Sequence, residues 1–213
     1  MKFKALLPYA GLMALALAVG LLASYLTFNS PPPPPPRTDA LLLHSPKLLP
    51  DFSLTDTAGA PFNRSRLMGH WSLLYFGYTH CPDACPTTLA ALDQMSRLFA
   101  KVPAAKRPQV YFISVDPKRD SLQLLKNYTL YFNPGFLGAT GSLESLRSLT
   151  APLGADFSYE NPDKQGNYGV IHSTAVILVD PEAEQTAIYT PPLDPKRMAA
   201  DYVNIIRYYG EQW

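Results

Sequence analysis

Two cysteines are the only thiols in this chain, four residues apart in Cys81-Pro-Asp-Ala-Cys85. They follow Trp71-Ser-Leu-Leu-Tyr-Phe-Gly-Tyr78, a nearly unbroken apolar run of the kind that forms a strand buried on both faces. Behind them, Leu89, Leu92, Met95, Leu98 and Phe99 recur at helical spacing, so Cys85 to Lys101 reads as an amphipathic helix. Thiols where a strand runs into a helix N-terminus meet unpaired backbone N–H groups and the positive end of the helix dipole. Both sulfurs are therefore expected to be more acidic than a free cysteine, and readier to bind metal or react. An i, i+4 spacing on a helical turn separates the Cβ atoms by about 5–6 Å, whereas a relaxed disulfide wants about 3.5–4.5 Å. That gap suits chelation of one ion, although the Pro82 side of the loop need not be helical and a disulfide stays open. Two thiolates make a soft site that favours Cu(I); a nitrogen ligand would complete a trigonal set able to hold Cu(II) as well.

Four histidines are available to supply that nitrogen. His172, in Val170-Ile-His-Ser-Thr174, stands just ahead of an apolar strand, and in an open α/β sheet such a loop faces the cysteine-bearing helix start across the strand ends. His80 adjoins Cys81 but tends to point the opposite way, while His44 and His70 lie in polar surroundings without companion ligands. From spacing alone, His172 reads either as a ligand or as a core histidine whose ring is satisfied by backbone.

The elements that must position these residues alternate between strand-like and helix-like runs. Phe52 to Asp56, Gly59 and Pro61-Phe62 suggest an opening hairpin, and Val110 to Val115 a second buried strand. Ser121 to Tyr131 and Ser142 to Leu149 read as helices, Thr174 to Val179 as a strand, Thr186 to Tyr189 as its antiparallel partner, and Pro195 to Tyr209 as a closing helix. This order implies an α/β fold, a mixed sheet flanked by helices. Within the closing helix Ile205, Ile206 and Tyr209 fall at core spacing, so the aromatic-rich tail from Tyr202 to Trp213 reads first as packing and only then as a docking surface.

The chain has 213 residues, 47% hydrophobic and 16% charged, which is the balance of one globular domain. With 18 Lys and Arg against 17 Asp and Glu the net charge is +1, too small an excess for binding a phosphate backbone, so no nucleic-acid partner is expected. Ala5 to Phe28 carries no charge. As a helix it would extend about 36 Å, against a hydrocarbon core of about 30 Å. Lys2 and Lys4 precede it, which predicts a single span with the N-terminus cytoplasmic and the remainder extracytoplasmic, periplasmic in a bacterium. A cleaved signal peptide would have a shorter apolar stretch, of about 7–15 residues. Pro31 to Pro36 follow as a polyproline II spacer of roughly 19 Å. The expected organisation is an anchor over residues 1–29, a spacer over 30–37 and a folded domain over 38–213.

Three stretches carry a resemblance to a known family. Tyr75-Phe-Gly-Tyr-Thr-His-Cys-Pro-Asp-Ala-Cys-Pro-Thr-Thr-Leu89, Ser114-Val-Asp-Pro-Lys-Arg-Asp120 and His172-Ser, with Leu178-Val-Asp-Pro181 downstream, are similar to Sco/SenC proteins. The resemblance covers nearly the whole chain after the proline run. It implies a thioredoxin-like fold, one copper ion held by Cys81, Cys85 and His172, and a metallochaperone role in assembling the dinuclear copper site of cytochrome c oxidase. The implied partners are the copper-bearing subunit of that oxidase and an unidentified copper donor.

One position departs from the family pattern: many members have an acidic residue directly before the histidine, and here it is Ile171. The ring of His172 must then be oriented from elsewhere, since a ligating histidine usually donates its other N–H to a fixed acceptor. Asp116 and Asp120 bracket Pro117-Lys-Arg and read as a turn and helix cap, or as groups supporting the site or a charged patch for a partner. Asp83 reads as a first-turn acid favoured by the helix dipole. A function of another class uses the same sulfurs: a thiol-disulfide oxidoreductase that keeps the cysteines of the target copper subunit reduced, with Cys81 and Cys85 as its redox dithiol. Against a general reductase, the motif is C-x-x-x-C, and no proline stands between Val170 and Thr174. A purely structural disulfide is a third reading, and it gains little from closing so short a loop.

Overall fold

The computed structural model describes residues 7–28 and 34–209, with side chains for 11–26 and 34–209. Contacts divide the chain into two units after Pro35. In the first, helix α1 covers Leu7–Phe28, and every described side chain on it is exposed. Among the described residues no helix is long and apolar enough to cross a membrane. The single span expected over Ala5 to Phe28 thus finds no support there, and both ends of that run lie outside the described side chains. The proline run straddles the same limit: residues 34–36 are irregular, and 31–33 lie outside the described residues.

The second unit contains β1 (Leu41–Leu48), β2 (Ser53–Asp56), β3 (Pro61–Asn63), β4 (Ser72–Gly77), α2 (Ala84–Leu98), β5 (Gln109–Ser114), α3 (Leu122–Phe132), β6 (Leu137–Thr140), α4 (Leu143–Thr150), β7 (Phe157–Tyr159), β8 (Val170–His172), β9 (Val176–Val179), β10 (Glu184–Tyr189) and α5 (Pro195–Tyr208). Eight strands form one mixed sheet in the order β1-β10-β9-β4-β5-β6-β2-β3, while β7 and β8 make a separate two-stranded sheet. β4 lies at its centre, parallel to β5 and antiparallel to β9, with Tyr75 opposite Phe112 on one side and Val176 on the other. All six of its residues are buried, which is why its sequence is apolar at successive positions and does not alternate. The expected hairpin is β2–β3, and the expected antiparallel partner of β9 is β10.

Helix α2 buries Leu89, Leu92 and Met95 and ends at Leu98, earlier than the expected Lys101; Leu98 itself is 51% exposed. It packs against α5, where the ring of Tyr202 meets Phe99 at 5.3 Å and Trp71 at 6.1 Å. Tyr202, Ile205 and Ile206 are buried, so the C-terminal aromatic segment, as far as residue 209, belongs to the core. β1, β6, β7 and β8 have no counterpart among the elements expected from the sequence. β1 contains His44, Ser45 and Pro46, and its register against β10 shifts between Leu42 and Lys47, as an edge strand with an internal proline allows.

Candidate metal centre

The chain leaves β4 at Gly77 and turns through Tyr78, Thr79 and His80 to reach the cysteines. Cys81 N–H donates to the Tyr78 carbonyl at 3.2 Å, closing the turn. The N-cap of α2 is Asp83, yet its side chain accepts no backbone N–H of the helix. Cys81 Sγ accepts one instead, from Cys85 N–H at 3.4 Å, so the first sulfur helps to cap the helix that carries the second. Both cysteines are free; Cys81 is half-buried and Cys85 is fully buried.

Asp120, expected as part of a helix cap, holds this loop from the far side. Its carboxylate is buried and accepts from Thr79 N–H at 2.9 Å, Thr79 Oγ1 at 2.6 Å and Ser114 Oγ at 2.6 Å. The cap of α3 is Ser121, which accepts from Leu124 N–H at 3.2 Å. Asp116 is buried too, paired with Arg119. Neither aspartate offers a charged patch to a partner.

His172 ends β8, where it pairs with Phe157 of β7. Its Nδ1 lies 2.9 Å from the Ser173 carbonyl, an acceptor that favours the proton on Nδ1 and the lone pair on Nε2. This backbone oxygen orients the ring in place of an acidic neighbour, and Ile171 points outward, 61% exposed. Nε2 then lies 3.6 Å from Cys85 Sγ, within reach of the thiol S–H. Tyr78 and Tyr75 press edge-on against the ring at centroid distances of 5.7 and 6.4 Å. Burial pushes the imidazole below its ordinary pKa, opposed by the Ser173 and Phe76 carbonyls, and so favours the neutral, ligating form.

Cys81, Cys85 and His172 each present one donor atom, and the three atoms lie within 4.8 Å of one another. A three-coordinate ion with metal–donor distances of about 2.0–2.3 Å holds its donors about 3.5–4 Å apart. The donor set therefore fits a soft ion after a small contraction. The expected acidity of the sulfurs does not hold for Cys85. Burial pushes its thiol up to about 12, against the lowering effect of a hydrogen bond with the Tyr78 backbone. Desolvation outweighs that bond because the sulfur is fully buried, and a metal must displace the proton.

The other histidines stay apart from this set. His80 is exposed, its Nδ1 3.1 Å from Thr79 Oγ1; His44 is exposed on β1; His70 Nε2 lies 3.1 Å from the Tyr111 hydroxyl. Gly77 belongs to the site as well. A Cβ there would come within 2.6 Å of Cys85 Sγ and 2.7 Å of the Phe112 ring. Its signal was a glycine at the end of an apolar strand, where backbone and another group approach closely. Gly77→Ala is expected to cost about 1–3 kcal/mol through overpacking and to displace Cys85 Sγ. A urea midpoint equal to that of wild type would show that the sulfur moves aside freely.

Comparison with known proteins is consistent with this geometry. The SCO1/SenC family model matches residues 43–207. A Stutzerimonas stutzeri protein named for copper binding is 39% identical over 159 residues, 74% of this chain and 76% of that one. The mitochondrial SCO2 homolog of Danio rerio is 38% identical over 132 residues, 62% of this chain, which spans 47% of that relative's length. Among solved structures, Arabidopsis thaliana ScoI with copper bound superposes with a TM-score of 0.70 at 32% identity, covering 76% of this chain and 99% of that one. The matched region takes in the cysteine loop, the buried aspartates and the histidine strand together, and on that ground the chain belongs to the SCO1/SenC family.

Proposed function

We propose that this protein is a copper metallochaperone that holds one copper ion between Cys81 Sγ, Cys85 Sγ and His172 Nε2 and passes it to the copper-bearing subunit of cytochrome c oxidase while the dinuclear site is assembled. The convergence of those three donor atoms within 4.8 Å carries the reading. Copper in the Arabidopsis relative supports the metal, and the family resemblance supports the destination. Cu(I) is satisfied by the two thiolates, whereas Cu(II) also needs the imidazole. His172 is then the ligand most easily released, and copper passes to a partner's cysteines through mixed three-coordinate intermediates.

The test is anaerobic addition of Cu(I), then Cu(II), to the reduced full chain and to its His172→Ala variant, read as stoichiometry and visible absorption. The expected result is one copper per chain, a thiolate-to-Cu(II) band in wild type, and Cu(I) binding largely retained with Cu(II) binding weakened in the variant. Unchanged Cu(II) binding in His172→Ala sinks the three-ligand site. If wild type retains no copper, the thiol-disulfide reading takes its place. One observation favours that second reading: a free dithiol whose Cys81 is accessible while Cys85 is buried behind it, the arrangement of an attacking and a resolving thiol.

We also propose that the N-terminal run from Ala5 to Phe28, whose ends lie outside the described side chains, anchors the chain in a membrane as a single pass, with the folded unit on the extracytoplasmic side. The uncharged run from Ala5 to Phe28 and the outward side chains of residues 11–26 support this. Full-length protein released from membranes by alkaline carbonate would refute it.

A further inference from the structure

We propose that Arg119 and Tyr168 are positioning residues that latch the hairpin bearing His172 onto the loop bearing the cysteines, and so set the grip on Cu(II) without touching the metal. The proposal rests on the three-ligand reading above. His172 stands on β8, which belongs to the small β7–β8 sheet and not to the eight-stranded sheet that carries the cysteine loop. Past His172 the chain runs into β9, whose Val176 pairs with Tyr75 of β4, so strand pairing fixes that side; the side of the hairpin that precedes β8 needs a tie of another kind.

Arg119 stands where such a tie must be. Its Nη1 donates to the Tyr168 carbonyl at 2.8 Å, four residues before His172, and its Nε pairs with the buried carboxylate of Asp116. The hydroxyl of Tyr168 donates to the other oxygen of that carboxylate at 2.9 Å. The guanidinium lies 3.7 Å from the centroid of the Tyr168 ring and 5.5 Å from that of Tyr78. Tyr78 in turn receives the Cys81 N–H on its carbonyl and sets its ring at 85° against His172. One planar cation thus grips the hairpin through Tyr168 and faces the ring at the root of the cysteine loop. A second tether, Tyr159 Oη to the Val115 carbonyl, holds the β7 side. A lysine keeps the charge but cannot reproduce the flat fork that donates to a carboxylate and a carbonyl while stacking on a ring.

If the latch loosens, His172 Nε2 drifts from the sulfurs. Cu(II), which needs the imidazole, is then held less tightly, while Cu(I) on two thiolates is hardly affected. Outer groups that orient ligands typically change metal affinity by about 10–100-fold.

The experiment compares the full chain with Arg119→Gln, Arg119→Lys and Tyr168→Phe. Cu(I) and Cu(II) affinities are measured by chelator competition, and amide exchange of the β7–β8 hairpin is measured in the metal-free protein. Tyr168→Phe keeps the Asp116–Arg119 pair and so stays informative if Arg119→Gln fails to fold. The expected result is Cu(II) weakened about 10–100-fold in Arg119→Gln, less in Arg119→Lys and Tyr168→Phe, with Cu(I) within about threefold. Exchange should rise in the hairpin and not in β4 or β5. Unchanged Cu(II) affinity and exchange would overturn the latch, and so would an equal fall of both affinities with protection lost throughout the domain, which marks a merely structural role. Wild type that binds no copper would refute the metallochaperone reading instead, leaving the exchange measurement to decide the latch.

Discussion

Cys85→Ser protein binds Cu(I) at least about 100-fold more weakly than wild type, a loss beyond that caused by removing a group which merely supports a ligand. Serine offers a hard hydroxyl that does not ionise at neutral pH, and Cu(I) prefers soft sulfur. The position is fully buried, so water cannot enter to take the vacant coordination place. The shorter C–O bond carries the new hydroxyl out of hydrogen-bond reach of His172 Nε2, which lies 3.6 Å from the present sulfur, so the buried hydroxyl should cost about 1–3 kcal/mol of stability. Cys81→Ser also loses copper, but at a half-exposed position where water reaches the ion, so its deficit should be the smaller of the two. Competition with a Cu(I) chelator measures both variants against wild type. Equal affinity in wild type and Cys85→Ser would move the metal to another part of the molecule.

The second large effect is on stability. Asp120→Ala removes a buried carboxylate that accepts three hydrogen bonds, two from Thr79 and one from Ser114, and leaves their donors without that acceptor. Bonds to a charged group contribute about 1.5–3 kcal/mol each, and an orphaned buried donor costs about 1–3 kcal/mol. With partial relaxation around the new space, the net loss is about 3–4 kcal/mol. For a domain of this size that lowers Tm by roughly 6–16 °C, measurable by calorimetry on the metal-free protein. Copper affinity should fall as well, since Thr79 lies two residues before Cys81 and its anchoring sets where the first sulfur stands. Asp120→Asn keeps an acceptor for Thr79 N–H and should lose about half as much. A melting temperature within about 1 °C of wild type in Asp120→Ala would mean that the cysteine loop is held by other contacts.

Much of the framework is legible in the sequence. The strands through Leu74 and Phe112, the helix behind Cys85, the β9–β10 pairing and the closing helix all announced themselves through runs of apolar residues or through helical spacing. Those signals are local, because a residue's neighbours within two turns reveal which face it buries. The short strands β6, β7 and β8 lacked such runs; each has only three or four residues and owes its existence to a distant partner. Asp120 shows the same limit in a single side chain. Next to Ser121 it has the pattern of a cap, but its acceptors are taken up by Thr79, 41 residues away. The raised pKa of Cys85 has a related cause. The helix terminus is visible in the sequence, while the covering that desolvates the sulfur is assembled by the fold.

The sequence by itself determined the chemistry available: two thiols at the mouth of a helix, a histidine before an apolar strand, and an uncharged N-terminal run apart from the domain. Residue type and short-range periodicity are properties of adjacent positions, and they survive without a fold. Only the tertiary structure decided that Nε2 of His172 meets Cys85 Sγ across 87 residues of chain, that the Ser173 carbonyl orients the ring where Ile171 has no polar group to offer, that Asp120 accepts from Thr79 and that Arg119 donates to the Tyr168 carbonyl. Each of those contacts depends on packing that brings distant backbone together, and distance in space is not written in the spacing of neighbours.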